Sequence, residues 1–285
     1  MAEAGPVRRL LILNSSAGRA AAAAERLQAE LGDHRVLELG PGQALAEAYR
    51  ACPTTTDAVV VVSGGDGTVG AAVRCLAGSG RTLGIVPTGT YNNFARGLGL
   101  PLEPGAAIEV IKTGRPRWVG LGRAGGQPFV EAAGIGFFGE AILAGEAAKE
   151  LRAGELLGHL RGLAGQAPFR YRLSGDARGS GTATSIIVAN TATVGAGIVV
   201  GDASPNDPRL EVIVEGAENR LGALWGLLMN VLRRRTAAPQ RSHRVSRVRI
   251  ETGPAAPVFA DVFEVGTTPV EFEARPRDLK VMLPR

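Results

Sequence analysis

Four valines in a row, Val59–Val62, run directly into Ser-Gly-Gly-Asp-Gly-Thr, residues 63–68. An unbroken run of β-branched residues suits a strand buried on both faces, because no position is left for a wet side. Beyond Thr68 the apolar residues fall at Val69, Ala72, Val73 and Leu76, which is helical spacing. A buried strand that feeds a helix through a glycine-rich link belongs to a parallel sheet. The link itself is where bare backbone N–H groups can approach a phosphate. A tight turn at positive φ would account for one glycine. Glycines at 64, 65 and 67, around an aspartate and followed by a hydroxyl residue, exceed what a turn needs.

The same alternation extends on both sides. Strands are expected at 8–13, 34–39, 58–62 and 82–86. Helices are expected at 20–31, 43–52, 69–77 and from about Asn93. Repeated βα units imply a parallel sheet covered by helices. Past Trp118 the character changes. A pair of strands around a glycine hairpin is followed by a helical insert at 139–165. Short strands then run to the end, among them 257–265 as one strand, and 269–276 and 279–283 as two more. The fold class expected is an α/β nucleotide-binding domain with a parallel sheet, residues 1–118, followed by a β-rich antiparallel sandwich domain, residues 119–285.

Composition narrows the function classes. The net charge is +5, but arginine supplies nearly all of the basic charge and no arginine run is interleaved with aromatics, so nucleic acid is not an expected partner. Cys52 and Cys75 form neither a metal-ligand pattern nor a disulfide framework and read as small core residues. The apolar run near the N-terminus is too short for a signal peptide, and 221–232 is too short to span a bilayer. The expected location is cytoplasmic. Trp225 followed by Arg233–Arg235 suits contact with the inner membrane face as well as it suits a buried helix with a basic end.

Three strand-to-helix loops carry the candidate chemistry: 13–19, 63–69 and 87–101. In a parallel sheet such loops gather beyond the carboxyl ends of the strands, where ligands bind. They offer the amides of Asn14, Asn92 and Asn93, and the hydroxyls of Ser15, Ser16, Thr68, Thr88 and Thr90. Neither a P-loop pattern nor the common dinucleotide fingerprint is present.

"GGDGT" (64–68) followed by "PTGTYNNFA" (87–95) resembles the diacylglycerol kinase catalytic domain superfamily, which includes bacterial lipid kinases and sphingosine kinases, with NAD kinases more distant. "NSSAG" (14–18), "AAGIGFFGEA" (132–141) and "DASPNDPRLEV" (202–212) are similar to its first loop, the opening of its second domain and its metal loop, in that order along the chain. The resemblance implies an ATP-dependent lipid kinase whose acceptor hydroxyl sits on a lipid, diacylglycerol by default, with the active site in a cleft. It implies that Gly64, Gly65, Asp66, Gly67 and Thr68 cradle the ATP phosphates, that Asn14, Thr90 and Asn92 line the nucleotide site, and that Asp207 helps hold Mg²⁺. The chain departs from the family pattern at several points. Asn93 follows Asn92 where an aspartate is usual, Pro208 stands for glycine and Glu211 for aspartate. In the family's "DGE" segment Asp261 matches, Val262 replaces glycine, and Phe263 takes the position of the glutamate base. On a continuous strand, period-two alternation would put Asp261 and Phe263 on one face and Glu264 on the other. Asp261 is then the expected catalytic base and Glu264 the runner-up. A bulge near Val262 would be needed to bring Glu264 inward.

Overall fold

The computed structural model describes residues 7–14, 18–31, 34–39, 45–50, 52, 54–141, 154, 167–195, 198–216 and 241–285. The chain divides into two compact units. The first holds Met1–Val119 together with Arg277–Arg285, and the second holds Gly120–Pro276. The boundary expected after residue 118 therefore lies one residue on. The last nine residues, expected in the second domain, return to the first.

In the first unit the elements alternate as β1 (Val7–Asn14), α1 (Gly18–Glu30), β2 (Arg35–Leu39), α2 (Leu45–Arg50), β3 (Thr54–Gly64), α3 (Asp66–Leu76), β4 (Thr82–Pro87), α4 (Asn93–Gly97) and α5 (Pro104–Thr113). The strands pair in parallel, with β1 between β2 and β3, and β4 beyond β3. Burial on both faces explains the valine run. Leu11, Leu13, Val61 and Val86 pack with Ala23 and Leu27 of α1 and Ile108 and Ile111 of α5. Leu10, Ile12, Val60 and Val62, of the opposite parity, are also buried, and α3 packs on β3 and β4. The strand order reverses direction at β1, so the gap between β1 and β3 is the topological switch point, where ligands of such sheets bind. One boundary differs usefully from expectation. Helix α3 starts at Asp66 rather than Val69, so Asp66, Gly67 and Thr68 form its first turn.

The second unit is an antiparallel sandwich. Its strands begin in β5 (Arg115–Ala124) and continue with β6 (Gln127–Phe129), β7 (Ala132–Gly136), β8 (Phe169–Gly175), β9 (Gly179–Ala183), β10 (Ser185–Ala189), β11 (Thr193–Val194), β12 (Ile198–Val199), β13 (Leu210–Glu215), β14 (Arg241–Val245), β15 (Arg247–Gly253), β16 (Pro257–Ala260), β17 (Phe263–Thr267) and β18 (Val270–Leu283). One sheet runs β14-β13-β10-β7-β16-β17, and the other includes β18, β15, β8 and β9 with β5 and β6. Between them lies an aliphatic and phenylalanine core in which Ile135, Val188, Val212 and Val258 meet Phe129, Leu173, Val248, Ile250 and Phe272. Single-residue alternation along β15, where Val248 and Ile250 are buried and Arg247 and Arg249 exposed, is what one wet face requires.

Two expectations for strands change. The segment read as one strand at 257–265 is a hairpin, β16 and β17, turned at Asp261–Val262. The two final strands are one, β18, whose end at Lys280–Val281 pairs in parallel with Thr82–Leu83 of β4. Of the helical insert expected at 139–165, residues 142–153 and 155–166 lie outside the described residues, as do Ser15, Ser16, Trp225 and Arg233–Arg235.

Candidate functional site

Register brings the three loops of the first unit to one level. Leu13 of β1 pairs with Ser63 of β3, which puts the end of β1 at Asn14 beside Gly64. Gly64 in turn pairs with Pro87 of β4. The link to α3 is a single residue, Gly65, in extended conformation (φ −89°, ψ −173°) with no side-chain cap on the helix. The Val69 N–H donates to the Gly65 carbonyl at 3.0 Å and closes the first helical turn. The N-terminal turn of α3 thus points its backbone N–H groups and its positive dipole end out of the switch point.

The glycines in this loop divide by what surrounds them. A side chain on Gly64 would meet Thr68 Cβ at 2.6 Å, so this glycine makes room for the threonine. One on Gly65 would lie 3.1 Å from the Gly89 Cα, and one on Gly89 would collide with the Gly65 Cα. Gly65 and Gly89 therefore let two loops touch backbone to backbone, and the Thr88 N–H to Gly64 carbonyl bond at 3.1 Å holds them there. Gly67 is different. It is helical, and an added Cβ would meet nothing within 4 Å. A glycine in a helix costs about 0.5–1 kcal/mol relative to alanine, and no protein neighbour requires this one. The space beside it is open.

Among the described residues, Ser63 Oγ and Thr88 Oγ1 are buried with no hydrogen-bond partner. Groups of this kind usually have a partner, because leaving one unpaired costs about 1–3 kcal/mol. Both sit at the strand ends that flank Gly64. Asn92 has a structural role. Its Oδ1 accepts the Gly89 N–H at 3.1 Å and its Nδ2 donates to the Gly89 carbonyl at 2.8 Å, from a left-handed backbone (φ 51°, ψ 47°). It braces the loop that touches Gly65. Thr90 is exposed on that loop, and Asp66, Gly67 and Thr68 are half-buried. Gly89 is the residue that sequence reasoning passed over. Its signal was the Gly in "PTGT", legible only once its contact was known.

In the second unit, the Asp261 carboxylate is engaged by backbone. It accepts the Val130 N–H at 3.0 Å and the Glu131 N–H at 2.9 Å, and the Asp261 N–H donates to the Ala132 carbonyl at 2.8 Å. Its φ of +52° places it in the left-handed region, which aspartate tolerates better than most residues. Strand alternation does not apply at a turn, so the expected shared face with Phe263 has no basis. The register shift of the hairpin falls between Val258 and Phe259, not at Val262. Glu264 is exposed and pairs across from Phe259. Two residues missed from the sequence complete this corner. Glu131, buried, accepts the Gly195 N–H at 2.8 Å, and Asn190, buried, donates from Nδ2 to the Val130 carbonyl at 3.0 Å. Each is a lone polar residue in an apolar run, which was the available signal.

Asp207 faces cations. Its Oδ2 accepts from Arg244 at 3.1 Å, its Oδ1 accepts the Arg209 N–H at 3.0 Å, and the Arg209 guanidinium lies 3.6 Å away. Glu211 is buried and accepts the Asp202 N–H at 2.9 Å. Mg²⁺ wants carboxylates with bound waters. A carboxylate between two arginines presents net positive charge, and both Asp207 oxygens are already taken up by N–H donors. The Asp207 loop does not fit Mg²⁺.

Comparison with known proteins agrees with this fold. Residues 8–124 match the diacylglycerol kinase catalytic domain, and residues 147–283 match the YegS C-terminal NAD kinase beta sandwich-like domain. A diacylglycerol kinase of Mycobacterium tuberculosis is 31% identical over 248 residues, 81% of this chain and 78% of that protein. The curated relatives matched over 80–81% of this chain are spanned over 55% to 78% of their own length. A crystal structure of a diacylglycerol kinase from Bacillus anthracis superposes with a TM-score of 0.72 at 22% identity, over 97% of this chain and 96% of that one. An NAD kinase from Archaeoglobus fulgidus in complex with ATP superposes with a TM-score of 0.60 at 12% identity, over 96% and 93%. The sandwich, the switch-point glycine loop and these matches lead to one conclusion: the chain belongs to the diacylglycerol kinase family of lipid kinases.

Proposed function

We propose that this protein transfers the γ-phosphoryl group of ATP, taken as its Mg²⁺ complex, to a hydroxyl of a membrane lipid, diacylglycerol being the default acceptor. The observation that carries the nucleotide half is Gly67, a helical glycine with open space where its Cβ would be, on the loop whose flanking strand ends hold two buried hydroxyls without protein partners. Phosphate oxygens at the start of α3 would accept backbone N–H bonds and the Thr88 hydroxyl, and would gain from the helix dipole. Asn14, at the end of β1, and the loop braced by Asn92 would border the same ligand. The NAD kinase neighbour that holds ATP has this fold, which supports nucleotide binding without assigning it.

In the transfer, a bond forms between the acceptor oxygen and phosphorus, the bond to ADP breaks, and the hydroxyl proton passes to a base. Geometry supports reversing the order of the two candidates. Asp261 spends its oxygens on the Val130 and Glu131 N–H groups, which suits a brace. Glu264 is the exposed carboxylate of the same hairpin. The test is transfer of label from γ-labelled ATP into a total lipid extract. Label in a lipid phosphate, lost in Glu264→Gln, supports the reading. A second reading is a nucleotide- or lipid-binding protein without turnover, favoured by Phe263 at the family's base position. ATP binding with no labelled lipid would establish it.

A further inference from the structure

We propose that the first unit carries a docking surface for an anionic bilayer, centred on Trp118 and formed with Arg115, Arg117, Arg277 and Lys280. It deepens the lipid-kinase reading and rests on it only for why a bilayer should be the partner. Trp118 is 37% exposed, the one large hydrophobic side chain exposed among the described residues. Arg115, Pro116 and Arg117 before it are exposed too. The start of β5 lies beside the end of β18. The Lys280 ammonium stands 5.0 Å from the centre of the Trp118 ring, and a side chain on Gly114 would collide with the Leu283 carbonyl. The two segments therefore run in opposite directions, which puts the four cations on the same pair of strand ends as the indole. Of the other surface arginines, Arg26 is tied to Glu30, Arg172 to Glu251 and Arg247 to Glu273, whereas among the described residues Arg35, Arg50, Arg170 and Arg178 are exposed without such a tie. Among the described residues these four cations have no ion pair.

An exposed indole stacked with a lysine, with exposed arginines on the same strand ends, is complementary to lipid headgroups in two ways. Tryptophan favours the boundary between headgroups and acyl chains, where its ring is part apolar and part polar. Lysine and arginine extend apolar stems along such a boundary and place their charge among phosphates. Neither argument uses the segment around Trp225.

The experiment is sedimentation of the full chain with vesicles of phosphatidylglycerol and phosphatidylcholine, and with phosphatidylcholine alone, at low and high salt. Each cation near an anionic surface is worth about five-fold in partitioning. Arg115→Gln/Arg117→Gln should then bind about 25-fold more weakly, Trp118→Ala should weaken binding further, and salt should weaken the parent protein most. Thermal melting of the same variants checks folding, and exposed Arg115 and Arg117 leave it unchanged. Binding that is unaltered in every variant, or equal on neutral vesicles, overturns the surface. So does a change in oligomeric state on substitution without any vesicle binding, which would mean the patch serves a second copy of the chain. Turnover on detergent-dispersed lipid separates the two proposals. Variants that lose vesicle binding but keep micellar turnover support the surface. A parent protein that binds vesicles through these residues yet phosphorylates no lipid leaves the surface standing and removes the kinase reading.

Discussion

Replacing Gly67 by alanine should stabilise the protein and weaken nucleotide binding at once, an uncommon pairing that separates a phosphate loop from an ordinary turn. The stabilising half follows from local structure. Gly67 is the second residue of α3, is helical, and has nothing within 4 Å of where its Cβ would be. Alanine then gains about 0.5–1 kcal/mol from helix propensity and reduced freedom of the unfolded chain. For a chain of 285 residues, that is a rise of about 1–3 °C in melting temperature. The binding half follows from the ligand. A methyl group where phosphate oxygens approach the backbone acts like overpacking, about 1–3 kcal/mol, so Kd for ATP rises about 5- to 150-fold. Melting by calorimetry without nucleotide gives the first number, and titration calorimetry with ATP gives the second. ATP should also raise the melting temperature less in the variant, because the linked stabilisation scales with the logarithm of occupancy. A variant that melts lower without ligand would show that Gly67 has a protein partner. A variant that binds ATP as tightly as the parent would remove the loop from the site.

The neighbouring glycine makes a contrasting control. Gly89→Ala drives a Cβ into the Gly65 backbone and should lower both stability, by about 1–3 kcal/mol, and ATP affinity, read by the same two assays. In the hairpin, Asp261→Asn gives up charge-assisted bonds to Val130 and Glu131 and should cost about 1–3 kcal/mol in denaturant unfolding. Glu264→Gln should leave stability alone and lower turnover by about 10²–10⁴; full activity in Glu264→Gln refutes the base assignment. Burial pushes the Glu215 carboxyl up, opposed in part by its hydrogen bond to Ser185. The folded state therefore holds that proton more tightly than the unfolded state. Its contribution is fully present below the ordinary value of 4.5 and is lost as pH rises through the raised folded value, so Glu215→Gln should flatten the fall in stability over that window. At Asp207, Mg²⁺ and a chelator should leave the nucleotide-free melting temperature unmoved, and Asp207→Ala should cost no more than about 1 kcal/mol, since its arginine partners are exposed.

What sequence by itself determined is what short-range physics controls. The valine run, the helical spacing after Thr68 and the alternation along β15 each declare how many faces a segment buries, and that is enough to separate a parallel α/β unit from an antiparallel sandwich. The glycine loop was legible for the same reason, because it lies between a strand and a helix that the sequence itself announces. Tertiary structure decided whatever depends on residues far apart in the chain. Asp261 is a turn brace because its carboxylate meets N–H groups 130 and 131 residues earlier, and Asp207 is an arginine partner because Arg244 arrives from 37 residues later. The last nine residues join the first unit because Lys280 and Val281 find the open edge of β4, a pairing between backbone groups that carry no residue code. Gly89 matters because Gly65, on another loop, comes within backbone contact. Spacing along a chain records which face a side chain takes; which partner waits on that face is set by the packing of distant elements, and there the chemistry of this protein's hairpin and its acidic loop was assigned.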